Sequence, residues 1–188
     1  AINDVLRFKY VLPVHQGRAA EHLLAKVFVK PGCVIPMNYH FTTTKAHFVL
    51  AGGTVEEIFI DEALNTQSTC QFKGNLDLQK FEHLIKNNGT HPIPFVRMEA
   101  TTNLLGGQPF SLENLAEVKK VAAANKIPLL LDGSLICENA YFIKKREKKY
   151  QNSSIQEIIW EMTKFADIFY LSGRKSSSVR GGFIATNN

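Results

Sequence analysis

Short apolar runs alternate along this chain with stretches whose hydrophobic residues recur every three or four positions. Residues 34–39, 54–60, 94–99, 128–132, 168–171 and 182–185 are brief and apolar or β-branched, and each is predicted as a strand. Ile155, Ile158, Ile159, Met162, Phe165 and Ala166 follow the i, i+3, i+4, i+7 rule, which predicts an amphipathic helix. Leu115, Val118, Val121 and Ala122 repeat that spacing behind Ser111, a predicted N-cap. Leu78, Phe81, Leu84 and Ile85 make a third stripe, closed by Asn87, Asn88 and Gly89. Each stripe is assigned to core packing and to nothing else. Strand and helix in alternation imply an α/β fold, a mainly parallel sheet with helices on both faces. No internal repeat, low-complexity tract or linker breaks the pattern.

Composition adjusts this picture only a little. With 188 residues, 45% of them hydrophobic, the chain can bury a substantial core. The net charge of +5 is modest, and the largest basic cluster, from Lys144 to Lys149, contains Glu147 and follows an aromatic helix segment. A solvated helix end explains it better than a nucleic-acid face, and no nucleic-acid partner is expected. Cys33, Cys70 and Cys137 are too few and too scattered for a disulfide framework or a zinc site. No segment is long and apolar enough to span a membrane, and no signal-peptide pattern is visible. The expectation is therefore a cytoplasmic protein, with the sequons at Asn88 and Asn152 serving as ordinary turns.

Ligands of parallel sheets gather beyond the carboxyl ends of the strands, and polar residues stand at three such ends: Asn103, Asp132 and Lys175. A lysine walled by apolar residues is easily desolvated, which frees its amine to form a Schiff base with a carbonyl. The plain alternative is a solvated loop lysine. Asp132 ends the run Pro128-Leu129-Leu130-Leu131, where a carboxylate is costly without a cationic partner. A protonated pyridine nitrogen would be one such partner; a cap on the following helix is the alternative. His15-Gln16-Gly17-Arg18 opens a strong helix former, so free N–H groups and a forked cation could hold a phosphate there. Taken in isolation, an ordinary helix cap with a surface arginine is the plainer reading. Phe41, beside Thr42, could stack on a flat ring or simply be a buried aromatic.

The segments His15–Glu21, Asn38–Thr44, Phe72–Leu78, Asn103–Pro109, Glu138–Lys144 and Ser172–Lys175, in order along nearly the whole chain, resemble the β-eliminating lyases. That family holds phenol-lyase and indole-lyase branches. The resemblance implies the large domain of a fold-type I enzyme dependent on pyridoxal 5'-phosphate, with a monovalent cation such as potassium as a further cofactor. It implies that Lys175 carries the cofactor and later shuttles the substrate α-proton. By the same resemblance Gln16, Gly17, Arg18 and Ser172 hold the phosphate, Phe41 stacks on the ring, Asp132 pairs with its nitrogen and Asn103 bonds its phenolic oxygen. Thr42 implies the phenol-lyase branch, where indole-lyases carry an aspartate. The implied reaction cleaves tyrosine to phenol, pyruvate and ammonia, with a homo-oligomer, a tetramer in the complete family protein, as the working form.

Three departures touch the expected site. Leu135 stands where the family has an arginine facing the phenolic oxygen, Arg174 replaces a lysine, and the run from Lys175 to Gly181 is one residue short. Against the family pattern, residues 1–188 would form an incomplete large domain, without the amino-terminal arm and the small carboxy-terminal domain. Two alternatives follow: a degenerate, inactive domain kept as a structural or interaction subunit, and a tryptophan indole-lyase. A fold-related aminotransferase or desulfurase fits less well, because the Gly106–Pro109 and Glu138–Tyr141 segments are foreign to those families.

Overall fold

A computed structural model of the chain describes residues 2–176 and 179–188. The elements run α1 (Ile2–Leu6), β1 (Tyr10–Val14), α2 (Gly17–Phe28), β2 (Val34–Met37), α3 (Thr42–Leu50), β3 (Thr54–Glu57) and α4 (Leu78–Asn87). They continue with β4 (Val96–Glu99), α5 (Leu112–Ala124), β5 (Leu129–Asp132), α6 (Ile136–Arg146), α7 (Ile155–Thr163), β6 (Ile168–Ser172), α8 (Gly173–Ser176) and β7 (Gly182–Thr186). Among the described residues one seven-stranded sheet forms, in the order β1-β7-β6-β5-β4-β2-β3. Its pairs from β6 to β3 are parallel, whereas β7 runs antiparallel to both β6 and β1. The expected mainly parallel α/β sheet is what the chain builds, and each of the six predicted strands has its counterpart in it.

Side-chain alternation along the central strands explains why helices cover both faces. Leu129, Leu131 and Phe169 belong to one apolar cluster, with Val96, Met98, Leu115, Ile158 and Met162. Leu130, Ile168 and Tyr170 belong to the other, with Leu24, Ile35, Met37 and Phe48. The period of two sends neighbours to opposite faces, so a strand buried on both sides reads as a continuous apolar run. The first cluster lies under α4, α5, α6 and α7, the second under α2 and α3. Gly133, just past β5, is held to glycine by that packing: a Cβ there would lie 2.1 Å from Cζ of Phe169.

The predicted N-cap of α5 is also present. Ser111 Oγ accepts from the Asn114 amide at 3.0 Å and caps α5. Ser154 and Glu157 form a reciprocal capping box at the mouth of α7. The basic cluster closes α6, with Lys144, Lys145 and Arg146 in its last turn, as a solvated helix end would. Two elements carry no periodic signal. Strand β1 contains Pro13, tolerated because β1 is the outermost strand and pairs on one side only. Helix α3 begins with three threonines, poor helix formers, and is held by the burial of Thr44 and Phe48. Among the described residues no helix is long and apolar enough to cross a membrane.

Phe169 is fully buried and its ring lies 5.4 Å from that of Phe8 and 5.8 Å from that of Phe183. Phe169→Ala is expected to cost about 3–5 kcal/mol of unfolding free energy. Ser154→Ala, which removes only the cap of α7, is expected to cost about 1 kcal/mol. Urea denaturation of both variants checks the ranking, and equal costs would mean that the ring stack contributes no more than one cap.

Candidate functional site

The carboxyl ends of β1, β2, β5 and β6 face the same side of the sheet, and the loops leaving them enclose a cleft of about 160 Å³. Its walls are Gln16, Gly17, Arg18 and Glu21 from the mouth of α2, Phe41 and Thr43 from the mouth of α3, Ser134 after β5, and Ser172, Arg174 and Lys175 at the end of β6. Six of the residues expected from sequence therefore converge: Gln16, Gly17, Arg18, Phe41, Ser172 and Lys175. Gln16 gives α2 no side-chain cap, so the first amides of this helix face the cleft with Arg18 beside them. Gly17 has a structural reason to be glycine, since a Cβ there would stand 2.7 Å from the Ser172 Cβ. The missing side chain lets the helix mouth and the end of β6 share one cradle.

Lys175 is half-buried and its Nζ lies 3.8 Å from the centroid of the Phe41 ring. An amine on an aromatic face, next to helix amides, a hydroxyl and a guanidinium, is a donor set suited to a flat ring carrying both a carbonyl and a phosphate. The residues present thus fit pyridoxal phosphate at its phosphate and carbonyl ends.

Asp132 lies beneath, fully buried, and its surroundings are richer than the sequence suggested. Glu99, Asp132 and Tyr170 are direct Cα partners across β4, β5 and β6, so all three side chains project from one rung to the α2/α3 face. Arg97, two residues before Glu99, projects to the same face and is completely buried. Its Nη2 donates to Asp132 Oδ2 at 2.6 Å and to Glu99 Oε2 at 2.9 Å, and its Nη1 donates to the Tyr39 carbonyl at 3.1 Å. The Tyr170 hydroxyl donates to the same Asp132 oxygen at 2.6 Å and lies 3.0 Å from Arg97 Nη2. Asp132 Oδ1 accepts from the Ser134 amide at 2.9 Å. The aspartate therefore braces the turn after β5 without capping α6, whose N-cap is Leu135, and it has a cationic partner within the chain.

Burial alone would raise the Asp132 carboxyl, but the Arg97 cation, with help from Ser134 and Tyr170, holds it below its ordinary value. Burial raises Glu99, and there Arg97 opposes the effect without overcoming it while Asp132 adds repulsion. Burial also pushes the Tyr170 phenol well up, keeping it a proton donor. On the cleft wall Glu21 is tied down by Thr43 Oγ1 at 2.5 Å and Thr44 Oγ1 at 2.6 Å.

Three expected residues lie elsewhere. Asn103 is exposed at the start of a short 3-10 turn, where its amide donates to Glu99 Oε1 at 3.0 Å, and it does not line the cleft. Thr42 is exposed beside Thr43, which takes the wall position. Leu135 is half-buried as the N-cap of α6 and also stands outside the lining. The shortened run after Lys175 includes Ser177 and Ser178, which lie outside the described residues. Sequence reasoning missed Arg97, Glu99 and Tyr170. A signal existed: two opposite charges at i and i+2 inside a predicted strand share one face, and a parallel strand has no solvent face to offer them.

The Beta-eliminating lyase family matches the chain over residues 1–188. Tyrosine phenol-lyase of Symbiobacterium thermophilum is 46% identical over 188 residues, covering 100% of this chain and 41% of its own length. That of Pasteurella multocida is 44% identical over 192 residues, with 100% and 42% covered. The chain thus spans about two fifths of the length of these relatives. Among solved structures, Leishmania major threonine aldolase superposes with a TM-score of 0.70 at 17% identity, covering 100% of this chain and 50% of that one, a likeness of fold.

The buried rung generates a pH prediction. Asp132 titrates below its ordinary value of 3.8 when folded, so its contribution is present above that pH and is lost as pH falls toward the folded value. Glu99 titrates above 4.5 when folded, so its contribution is full below that pH and is lost as pH rises through the folded value. Glu99→Gln should flatten the decline in stability above pH 4.5. Asp132→Asn should flatten the acid limb while lowering stability at neutral pH. Urea unfolding across a pH series reads both, and parallel profiles for wild type and Glu99→Gln would refute the assignment.

Proposed function

The chain belongs to the beta-eliminating lyase family, and on that footing we propose that it forms the cofactor-binding part of a pyridoxal phosphate-dependent lyase acting on an aromatic amino acid. Tyrosine is the first candidate, because the relatives compared above, 46% and 44% identical, are tyrosine phenol-lyases. The observation that carries this proposal is the convergence of Lys175, Phe41, Ser172 and the Gln16-Gly17-Arg18 turn on one cleft. Tyrosine and one water would leave as phenol, pyruvate and ammonia.

When bound, the cofactor supplies a carbonyl for the substrate amine and a ring that accepts the electron pair left when the α-proton departs. The chain's own residues do the rest. The amides at the mouth of α2, the Arg18 guanidinium and the Ser172 hydroxyl hold the phosphate and set the register of the ring. Phe41 would cover one face of the ring and keep water from it. Lys175, whose Nζ rests on the Phe41 ring, would hold the carbonyl end of the cofactor and supply the amine that takes the substrate α-proton. Asp132 is buried and does not line the cleft. Asn103 and Thr42 are assigned to the outer rim, as contacts for the phenolic oxygen and the substrate side chain. A monovalent cation such as potassium is proposed on the family pattern alone. Homo-oligomeric assembly belongs to the same proposal, supported by exposed apolar side chains such as Leu12, Val27 and Leu50.

A second reading, a lyase-like domain kept as a structural subunit, is favoured by one observation: Asp132 already has Arg97 as its cation. Borohydride separates the two. With added pyridoxal phosphate the purified protein should develop a visible band that reduction fixes to Lys175, as peptide mapping would report. Lys175→Ala should abolish the label and lower pyruvate release by a factor on the order of 10²–10⁴, the usual worth of one positioned acid–base group. Arg18→Ala should weaken cofactor binding by about tenfold or more, the value of a charge-assisted hydrogen bond. No band, or a label on another lysine, would favour the structural subunit.

A further inference from the structure

Glu21 is a buried acid on the cleft wall that the lyase reading leaves without a task. It stands one helical turn past Gly17 and Arg18, so the three line the cleft from one side of α2. Each of its carboxylate oxygens accepts a short hydrogen bond from α3: Oε2 from Thr43 Oγ1 at 2.5 Å, and Oε1 from Thr44 Oγ1 at 2.6 Å. The Tyr170 hydroxyl lies 3.4 Å from Oε1. An acid held by short, charge-assisted bonds on both oxygens is placed to brace, not to carry protons.

What it braces is the width of the cleft. Helix α2 starts at the end of β1 and α3 past the end of β2, and four strands stand between these two in the sheet. At the usual strand spacing that separation is about 24 Å, so strand pairing does not set the distance between the two helix mouths. The Glu21 bonds join them directly. The threonines in turn fix Phe41, whose carbonyl accepts from the Lys45 amide at 3.0 Å and so leads the same helical turn. Phe41 gives α3 no side-chain cap, and the Glu21 carboxylate answers the positive end of that helix instead.

We propose that Glu21 is a positioning residue that clasps α2 to α3, holding the Phe41 ring at the distance from the Gln16-Gly17-Arg18 cradle that one flat, phosphate-bearing ring requires. The proposal rests on the pyridoxal phosphate reading above. It separates two contributions to binding in one cleft. The cradle belongs to α2 and stands without the clasp, whereas the ring wall belongs to α3 and depends on it.

The test measures binding of pyridoxal phosphate, by its visible band, and of inorganic phosphate, by calorimetry. The proteins compared are the wild type, Glu21→Ala, Phe41→Ala and the double variant. Glu21→Ala should weaken pyridoxal phosphate by about tenfold, the worth of a charge-assisted hydrogen bond. It should change inorganic phosphate by no more than about twofold, the scatter of independent substitutions. In the Phe41→Ala background it should add nothing beyond that scatter, because the ring it positions is gone. Unchanged affinity for pyridoxal phosphate, equal losses for both ligands, or additive losses in the double variant would each overturn the proposal. Thr43→Val removes one of the two bonds at a half-buried position and should give the same pattern at smaller size. It decides the matter if Glu21→Ala does not fold. A wild-type protein with no visible band and no Lys175 label would overturn the functional reading itself, and this inference with it. A labelled wild type beside an unaffected Glu21→Ala overturns this inference alone.

Discussion

Two carboxylates, Glu99 and Asp132, sit directly opposite each other on neighbouring strands of a sheet that is buried on both faces, and the Arg97 guanidinium between them makes that arrangement possible. Either acid alone in an apolar layer would cost several kcal/mol, and two of them repel. The cation supplies what water supplies elsewhere. Its geometry is specific: Nη2 reaches both acids and the Tyr170 hydroxyl, and Nη1 reaches back to a carbonyl beyond β2. Four strands are tied together at the level where their loops begin.

The same cluster reaches upward into the cleft. Tyr170 lies 2.6 Å from Asp132 and 3.4 Å from both Thr44 and Glu21, so the polar layer under the sheet face continues into the first turns of α2 and α3. Those turns carry Gln16, Gly17 and Arg18 on one side and Phe41 on the other. The positions of the phosphate cradle and the stacking wall thus depend on a network of buried charges, not on apolar packing alone. Such a network is unforgiving: removing one member leaves the others buried without partners. It also fixes the electrostatic character of the cleft floor before any ligand arrives.

The strand order was legible only in part. Residues 128–132 and 168–171 announce buried strands because both faces are covered and nearly every side chain is apolar. Helices α5 and α7 announce themselves through period and caps. Strand β1 does not, since an edge strand with a proline needs only half its hydrogen bonds and little burial. The antiparallel course of β7 is likewise a matter of chain direction after the turn at Gly181, on which hydrophobicity is silent.

The local chemistry at the ends of strands was readable from residue type and order. Glutamine, glycine, arginine, phenylalanine, serine and lysine each stood beside an element boundary, and six such residues meet in one cleft. What the sequence could not decide is which polar group answers which. Asp132 was expected to need a cation, and the need was real, but the register that sets Arg97 within reach exists only once β4, β5 and β6 pair. Asn103 and Thr42 occupied the right stretches of chain and still ended outside the lining, because a left-handed turn at Gly106 and the first turn of α3 aim them outward. Period and residue type determine which segments fold and what chemistry they carry. Only the registered sheet decides which charges share a rung, since a parallel partner lies a whole crossover away in the chain.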